Sequence, residues 1–136
     1  MSFKYAALLA ATVFAAPAFA EGDAGKGEKT FKKCKSCHMI KNGDDVILKG
    51  GKTGPNLYGI VGRAAGAQEG FKYGKSLAKA GENGLVWDAE NLVSYAADPK
   101  AFLKEYLDDG AAKSKMSFKL KKGAEDVVAY LESVVE

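Results

Sequence analysis

The clearest periodic stretch of the chain is its last. Val127, Leu131 and Val134 recur at i, i+4 and i+7 with Val128 and Tyr130 flanking them, so residues 124–134 predict an amphipathic helix. Asp98-Pro99 predicts an earlier helix start, an N-cap followed by proline at the first helical position. Phe102, Leu103, Tyr106 and Leu107 give that helix an apolar face, and Asp108-Asp109-Gly110 ends it. Just before it, Asp88 caps a helix carrying Leu92, Tyr95 and Ala96, which must stop near Asp98 because a residue preceding proline disfavours the α region. Ser76 to Ala80 predicts a short helix that Gly81 ends. Residues 21–33 predict the first helix, with Asp23 as N-cap and Ala24, Gly27 and Phe31 on one face. Gly25 and Gly27 each cost about 1 kcal/mol against alanine in a helix. Their presence implies another backbone packed close against them.

The stretches between these helices are long and aperiodic. Residues 39–52 form a polar excursion with turn signals at Asn42-Gly43 and Gly50-Gly51, and Val46-Ile47-Leu48 reads as a short strand or a lid over an apolar surface. Thr53-Gly54-Pro55-Asn56-Leu57-Tyr58-Gly59 is dense in breakers and predicts a loop of fixed path. Residues 60–73 have little period and glycines at 62, 66 and 70, and residues 111–123 form a lysine-studded loop around Met116-Ser117-Phe118. There is no internal repeat and no linker. The expected fold class is therefore all-α, a single domain with long loops, and so much irregular chain needs an organiser other than regular structure.

The first twenty residues stand apart. Lys4 precedes a mostly apolar run from Tyr5 to Ala16, and Ala18-Phe19-Ala20 fits the small-x-small pattern of a cleavage site, with Glu21 as the first mature residue. The run falls short of the roughly 20 apolar residues a membrane span needs. The expected organisation is a cleaved secretory signal peptide over 1–20 and one domain over 21–136. Removing 20 of the 136 residues leaves 116. The leader holds only Lys4 of the 20 basic residues, so the mature domain carries 19 against 17 acids, a net charge of +2. That balance, with export, argues against a nucleic-acid partner.

The chain has two cysteines, at 34 and 37, and one histidine, at 38. The run Cys34-Lys35-Ser36-Cys37-His38 reads as a c-type haem attachment site: two thiols placed to bond the vinyl groups of one haem, with the next imidazole aimed at the iron. A thioredoxin-like dithiol requires a βαβ setting that is not visible. A structural zinc requires four ligands, and only three Cys or His residues exist. With His38 the only histidine, the other face of the iron calls for a different donor. Of the two methionines beyond the leader, Met39 adjoins His38 and cannot reach the opposite face, which leaves Met116. The alternatives are a deprotonated Lys113 or Lys115, water, or no sixth ligand. A histidine–methionine pair closes both axial positions and raises the potential, which suits outer-sphere electron transfer rather than catalysis.

Taken with Gly62-Arg63, Phe71-Lys72-Tyr73, Trp87, Tyr95, Asp98-Pro99-Lys100, Lys115-Met116 and Ala129-Tyr130-Leu131, these residues resemble the class I c-type cytochromes, most closely the bacterial cytochrome c2 and c550 types. The resemblance covers essentially the whole mature chain. It implies the small cytochrome c fold, with terminal helices crossing and loops wrapped around one covalent haem c. It also implies thioethers at Cys34 and Cys37, iron ligation by His38 and Met116, and a bond from the outer nitrogen of His38 to the Pro55 carbonyl. Tyr73, Trp87 and Arg63 are expected to meet a haem propionate, Tyr95 to sit beside the Met116 sulfur, and Phe118 to shield the exposed haem edge. Gly27, Phe31 and Tyr130 are expected at the helix crossing.

The implied function is that of a soluble, monomeric periplasmic electron carrier, not an enzyme. It would take electrons from a cytochrome bc complex and pass them to a photosynthetic reaction centre, a terminal oxidase or a periplasmic reductase. The alternative is a haem peroxidase or gas sensor whose methionine ligand is displaced. Five lysines and no acid lie between Ala111 and Gly123, and Lys26, Lys29, Lys32, Lys33 and Lys35 crowd the attachment motif. Such a lysine-rich face would steer acidic membrane redox partners.

Overall fold

A computed structural model describes residues 22–136, so the proposed signal peptide and Glu21 lie outside the described residues. Five short helices and one hairpin make up the regular structure: α1 (Ala24–Thr30), β1 (Ile40–Asn42), β2 (Asp45–Leu48), α2 (Lys75–Glu82), α3 (Ala89–Ala97), α4 (Pro99–Tyr106) and α5 (Ala124–Ser133). The expected all-α architecture holds, with the two-stranded hairpin as its one addition.

The helix starts follow the sequence. The carboxylates of Asp23, Asp88 and Asp98 each accept a hydrogen bond from the backbone N–H three residues on. These bonds hold the Asp23 and Asp98 carboxyls below their usual range. Pro99 occupies the first turn of α4, as its fixed φ favours. α2 runs one residue earlier and two later than the expected 76–80, because Gly81 stays helical and the chain turns at Gly84, at φ 96°.

The two terminal helices cross at a very short distance. A Cβ on Gly27 would collide with the carbonyl of Asp126, and one on Gly22 with the carbonyl of Glu125. The Asp23 amide donates to the Asp126 carboxylate at 2.8 Å, and Phe31 packs on Tyr130 with ring centroids 5.8 Å apart. Gly25 points away from this crossing; its nearest neighbour is the capping oxygen of Asp23. The close approach expected of both helical glycines therefore belongs to Gly27 alone.

The hairpin turns at Asn42-Gly43, where Gly43 takes φ 58°. It buries Ile40 completely and leaves Val46 and Ile47 exposed, so residues 46–48 form a strand and not a lid. Gly50 and Gly51 do not serve as a positive-φ turn. They lie where a Cβ would strike the carbonyls of His38 and Ser36, and so let the chain pass tightly over the attachment motif. The core joins α1, α3, α4 and α5 through Phe31, Leu103, Val127 and Leu131, each worth about 1.5–3 kcal/mol on full burial.

Overpacking at the crossing should be costly. Gly27→Ala is expected to destabilise the matured protein by about 1–3 kcal/mol or more, and Gly25→Ala to change it by less than about 1 kcal/mol. Denaturant titration of both variants checks this, and equal losses at the two sites would refute the crossing as the cause.

Candidate haem site

The attachment motif is a helical turn that prolongs α1. After the 3-10 turn Phe31–Lys33, the amides of Cys34 and Lys35 bond the Phe31 carbonyl, and those of Cys37 and His38 bond the Cys34 carbonyl at 3.1 and 2.9 Å. This winding sets both thiols on one side of the turn. Both are free; Cys34 is half-buried and Cys37 exposed. Burial, followed by the nearby Cys37, pushes the Cys34 thiol up, and Lys33 opposes them. The amides of Gly51 and Gly54 clamp the turn from outside, bonding the carbonyls of Lys35 and Cys37 at 2.8 and 2.7 Å.

His38 turns inward from this clamp. Its Nδ1 lies 2.7 Å from the Pro55 carbonyl, which can only accept, so Nδ1 carries the ring proton and Nε2 presents its lone pair. Burial draws the imidazole below its ordinary pKa and the Pro55 bond partly offsets that. Burial thus favours the neutral ring, the form a metal requires. Gly54 has no room for a side chain, since a Cβ there would sit 2.6 Å from Nδ1.

A cavity of about 310 Å³ opens in front of His38. All ten residues singled out from the sequence line it: Cys34, Cys37, His38, Pro55, Arg63, Tyr73, Trp87, Tyr95, Met116 and Phe118. Apolar side chains such as Leu57, Leu92 and Leu131 fill in the rest of its wall. An antiparallel bridge between Ala64 and Val86 carries Arg63 and Trp87 to the same wall. The half-buried Arg63 guanidinium donates to the carbonyls of Asn56 (2.8 Å) and Tyr58 (3.4 Å). Among the described residues the one ion pair is Lys119–Asp98, so no carboxylate neutralises Arg63. Burial lowers its pKa and Tyr73 counteracts. Tyr73 accepts from the Gln68 amide at 3.0 Å and keeps its own proton to donate. The donor set is thus two thiols, an imidazole and a thioether in an apolar cavity, with an uncompensated cation on the wall. These features fit a large apolar macrocycle that carries acidic side groups.

Met116 sits half-buried in a loop tied down at several points. Ser114 Oγ donates to the Met116 carbonyl at 2.9 Å, the Lys113 amide to Ser76 Oγ at 3.0 Å, and Lys115 Nζ to the Lys72 carbonyl at 3.1 Å. The Leu120 amide bonds the Ala96 carbonyl, and Lys119 pairs with Asp98 at 3.3 Å. Tyr95 packs edge-on against Trp87 and Phe102. Burial raises its phenol pKa and a bond with Ser114 opposes the rise. Ser114 thus lies between the Tyr95 phenol and the Met116 backbone, whose carbonyl it bonds. Phe118, at 43% exposed, stands at the cavity mouth with Lys33, Lys113 and Lys115.

No family profile matches the chain. It is 59% identical over 132 residues to cytochrome c2 of Rhodobacter capsulatus, covering 96% of each chain. It is 58% identical over 135 residues to cytochrome c-551 of Roseobacter denitrificans, covering 98% of this chain and 96% of that one. The chain belongs to the class I cytochromes c, of the bacterial cytochrome c2 type. Among solved structures, the R. capsulatus cytochrome c2 matches with a TM-score of 0.82 at 58% identity over 85% of this chain and all of that one. Ferric cytochrome c-550 of Paracoccus versutus matches with a TM-score of 0.81 at 53% identity, over 83% and 98%. Cytochromes of this family carry one covalently attached haem c and transport electrons. In this cytochrome the attachment cysteines have their expected spacing at 34 and 37.

From sequence, Pro55 of this loop has an expected partner in His38, whereas Gly54 and Asn56 have no role of their own beyond the loop's motif. A methyl group at Gly54 should push the imidazole off the Pro55 carbonyl. Gly54→Ala is expected to destabilise the cytochrome by about 1–3 kcal/mol and to shift the NMR resonance of the His38 ring N–H. Gly110→Ala, where nothing lies within 4 Å, should do neither. An unmoved ring proton in Gly54→Ala would contradict this packing.

Proposed function

We propose that this cytochrome is a periplasmic one-electron carrier with a closed haem site. Cys34 and Cys37 would hold the haem by thioethers, and His38 and Met116 would occupy its two axial positions. The bound haem supplies a reversible one-electron couple at its iron. The observation that carries the reading is the convergence of a neutral, carbonyl-anchored imidazole and a tethered thioether on one apolar cavity.

Each residue then has a task that needs no bond-making. His38, held by Pro55, offers Nε2 in a fixed orientation, and the Pro55 bond raises its basicity. Met116 would supply the iron with a soft thioether donor, which favours the reduced state. The apolar wall keeps water out, so little solvent reorganises when charge changes. Arg63, Tyr73 and Trp87 provide the cation and the donors for buried carboxylates. Phe118 covers the mouth of the cavity without sealing it, leaving a short path for an electron. The tethers on the methionine loop weigh against a peroxidase or sensor in which the ligand leaves, and they support the assignment of a carrier rather than an enzyme.

The lysines at the mouth serve docking. Lys33, Lys113 and Lys115 line the cavity rim, and Lys32, Lys35, Lys119, Lys121 and Lys122 are exposed nearby in the chain. We assign this face to acidic surfaces of membrane redox complexes: a cytochrome bc complex as donor, and a reaction centre, oxidase or reductase as acceptor. Among the described residues no helix is long and apolar enough to cross a membrane. The leader-like residues 1–20 support export to the periplasm.

Two experiments test the reading. Met116→Ala should lower the reduction potential, within the roughly 0.8 V that axial ligands command, and admit carbon monoxide to the ferrous protein. If visible spectra and potentiometry show neither change, Met116 is not the ligand. Lys35→Glu and Lys115→Glu should slow electron transfer to isolated membrane complexes at low salt, with the difference fading toward 1 M, where screening shortens to about 3 Å. Stopped-flow rates that fall equally at all ionic strengths would sink the steering assignment.

A further inference from the structure

Asn56 makes five hydrogen bonds, and together they fix the carbonyl that His38 leans on. Its Oδ1 accepts from the amides of Lys41 (3.0 Å) and Tyr58 (3.1 Å), and its Nδ2 donates to the Lys41 carbonyl at 2.7 Å. Only one orientation of the amide satisfies this pattern. Asn56 therefore pairs with both main-chain groups of Lys41 as a neighbouring strand would. Its own amide donates to Gln68 Oε1 at 2.8 Å, and its carbonyl accepts from Arg63 at 2.8 Å. Beside it, the Leu57 amide bonds the Met39 carbonyl at 3.0 Å.

These bonds join the stretch after His38 to the loop around Pro55, beside the single backbone bond from Gly54 to Cys37 on the other flank. On one side are Met39 and Lys41, immediately after the imidazole; on the other is Pro55, immediately before Asn56. Neither stretch belongs to a helix, and β1 supplies only three residues. The asparagine thus braces, from the side of Pro55 away from Gly54, the carbonyl that lies 2.7 Å from Nδ1. We propose that Asn56 is a positioning residue for the axial imidazole. Through the length of the His38–Pro55 bond it holds down the reduction potential of the iron. This inference rests on His38 as ligand, as argued above. A firm bond to Pro55 makes the imidazole a more basic donor, which stabilises the ferric state. Loosening it should therefore raise the potential.

The test uses matured holoprotein and two variants. Asn56→Ala removes all three side-chain bonds. Asn56→Asp keeps the acceptor for Tyr58 and Lys41 but cannot donate to the Lys41 carbonyl. Potentiometry should show an upward shift in both, larger for alanine. NMR should show solvent exchange of the His38 ring N–H accelerated by roughly tenfold, the factor that loss of one hydrogen bond at the upper end of its usual net strength gives. Gly27→Ala, destabilised elsewhere, should leave both readouts at their original values. If the Asn56 variants lose stability but keep the potential and the ring-proton exchange rate, Asn56 is only a structural clamp and the proposal fails. A fall in potential would overturn it as well, since that would report a different effect from a less basic imidazole. Failure of the His38–Met116 reading shows separately, as a high-spin spectrum of the unaltered protein. The ring-proton exchange still decides the Asn56 question in that case.

Discussion

A chain of this size that encloses a cavity of about 310 Å³ cannot hold its interior together by helix packing alone. Among the described residues the longest helix has ten residues, well under the length at which isolated helices persist in water. The apolar side chains that line this space are placed to pack against a bound haem rather than against one another. The protein's own part of the interior is therefore a shell built around a cofactor. This constraint accounts for the division of labour: the α1–α5 crossing closes one end by direct backbone contact, and the irregular segments are left to form the walls.

Those walls are held in place by single side chains that bond to the main chain of a distant segment. Asn56 joins the Pro55 loop to β1, Arg63 caps the same loop from within, and Ser76 receives the start of the methionine loop. Each such bond nets only about 0.5–1.5 kcal/mol. Their value lies in where they act, because a loop without a ladder has no other means of fixing its path. The glycines play the complementary part at Gly27, Gly50 and Gly54, where any side chain would strike a backbone or the imidazole.

The local features were legible in the sequence, and the long-range ones were not. Capping by Asp23, Asp88 and Asp98 depends on the next three residues only, and all three caps form. The attachment motif is likewise read from five consecutive positions. Gly25 misled because a helix carries residues two apart to nearly opposite faces, roughly 200° apart at 3.6 residues per turn. Only Gly27 faces α5. The work of Asn56 was hidden because its partners lie 15 and 12 residues away with no period between them. Val46-Ile47-Leu48 left strand and lid open in sequence; in the hairpin Val46 and Ile47 are exposed and Ile40 of β1 is the fully buried residue.

Asp98 shows what such economy entails. One carboxylate oxygen caps the first turn of α4 and the other holds Lys119 of the methionine loop. Two elements that share one side chain do not open independently: when the first turn of α4 frays, the loop loses its ionic anchor in the same event. Helix start and loop are thus coupled through one side chain, by the small contribution of an exposed ion pair. Amide exchange in the first turn of α4 then reports on how often the far side of the haem cavity breathes.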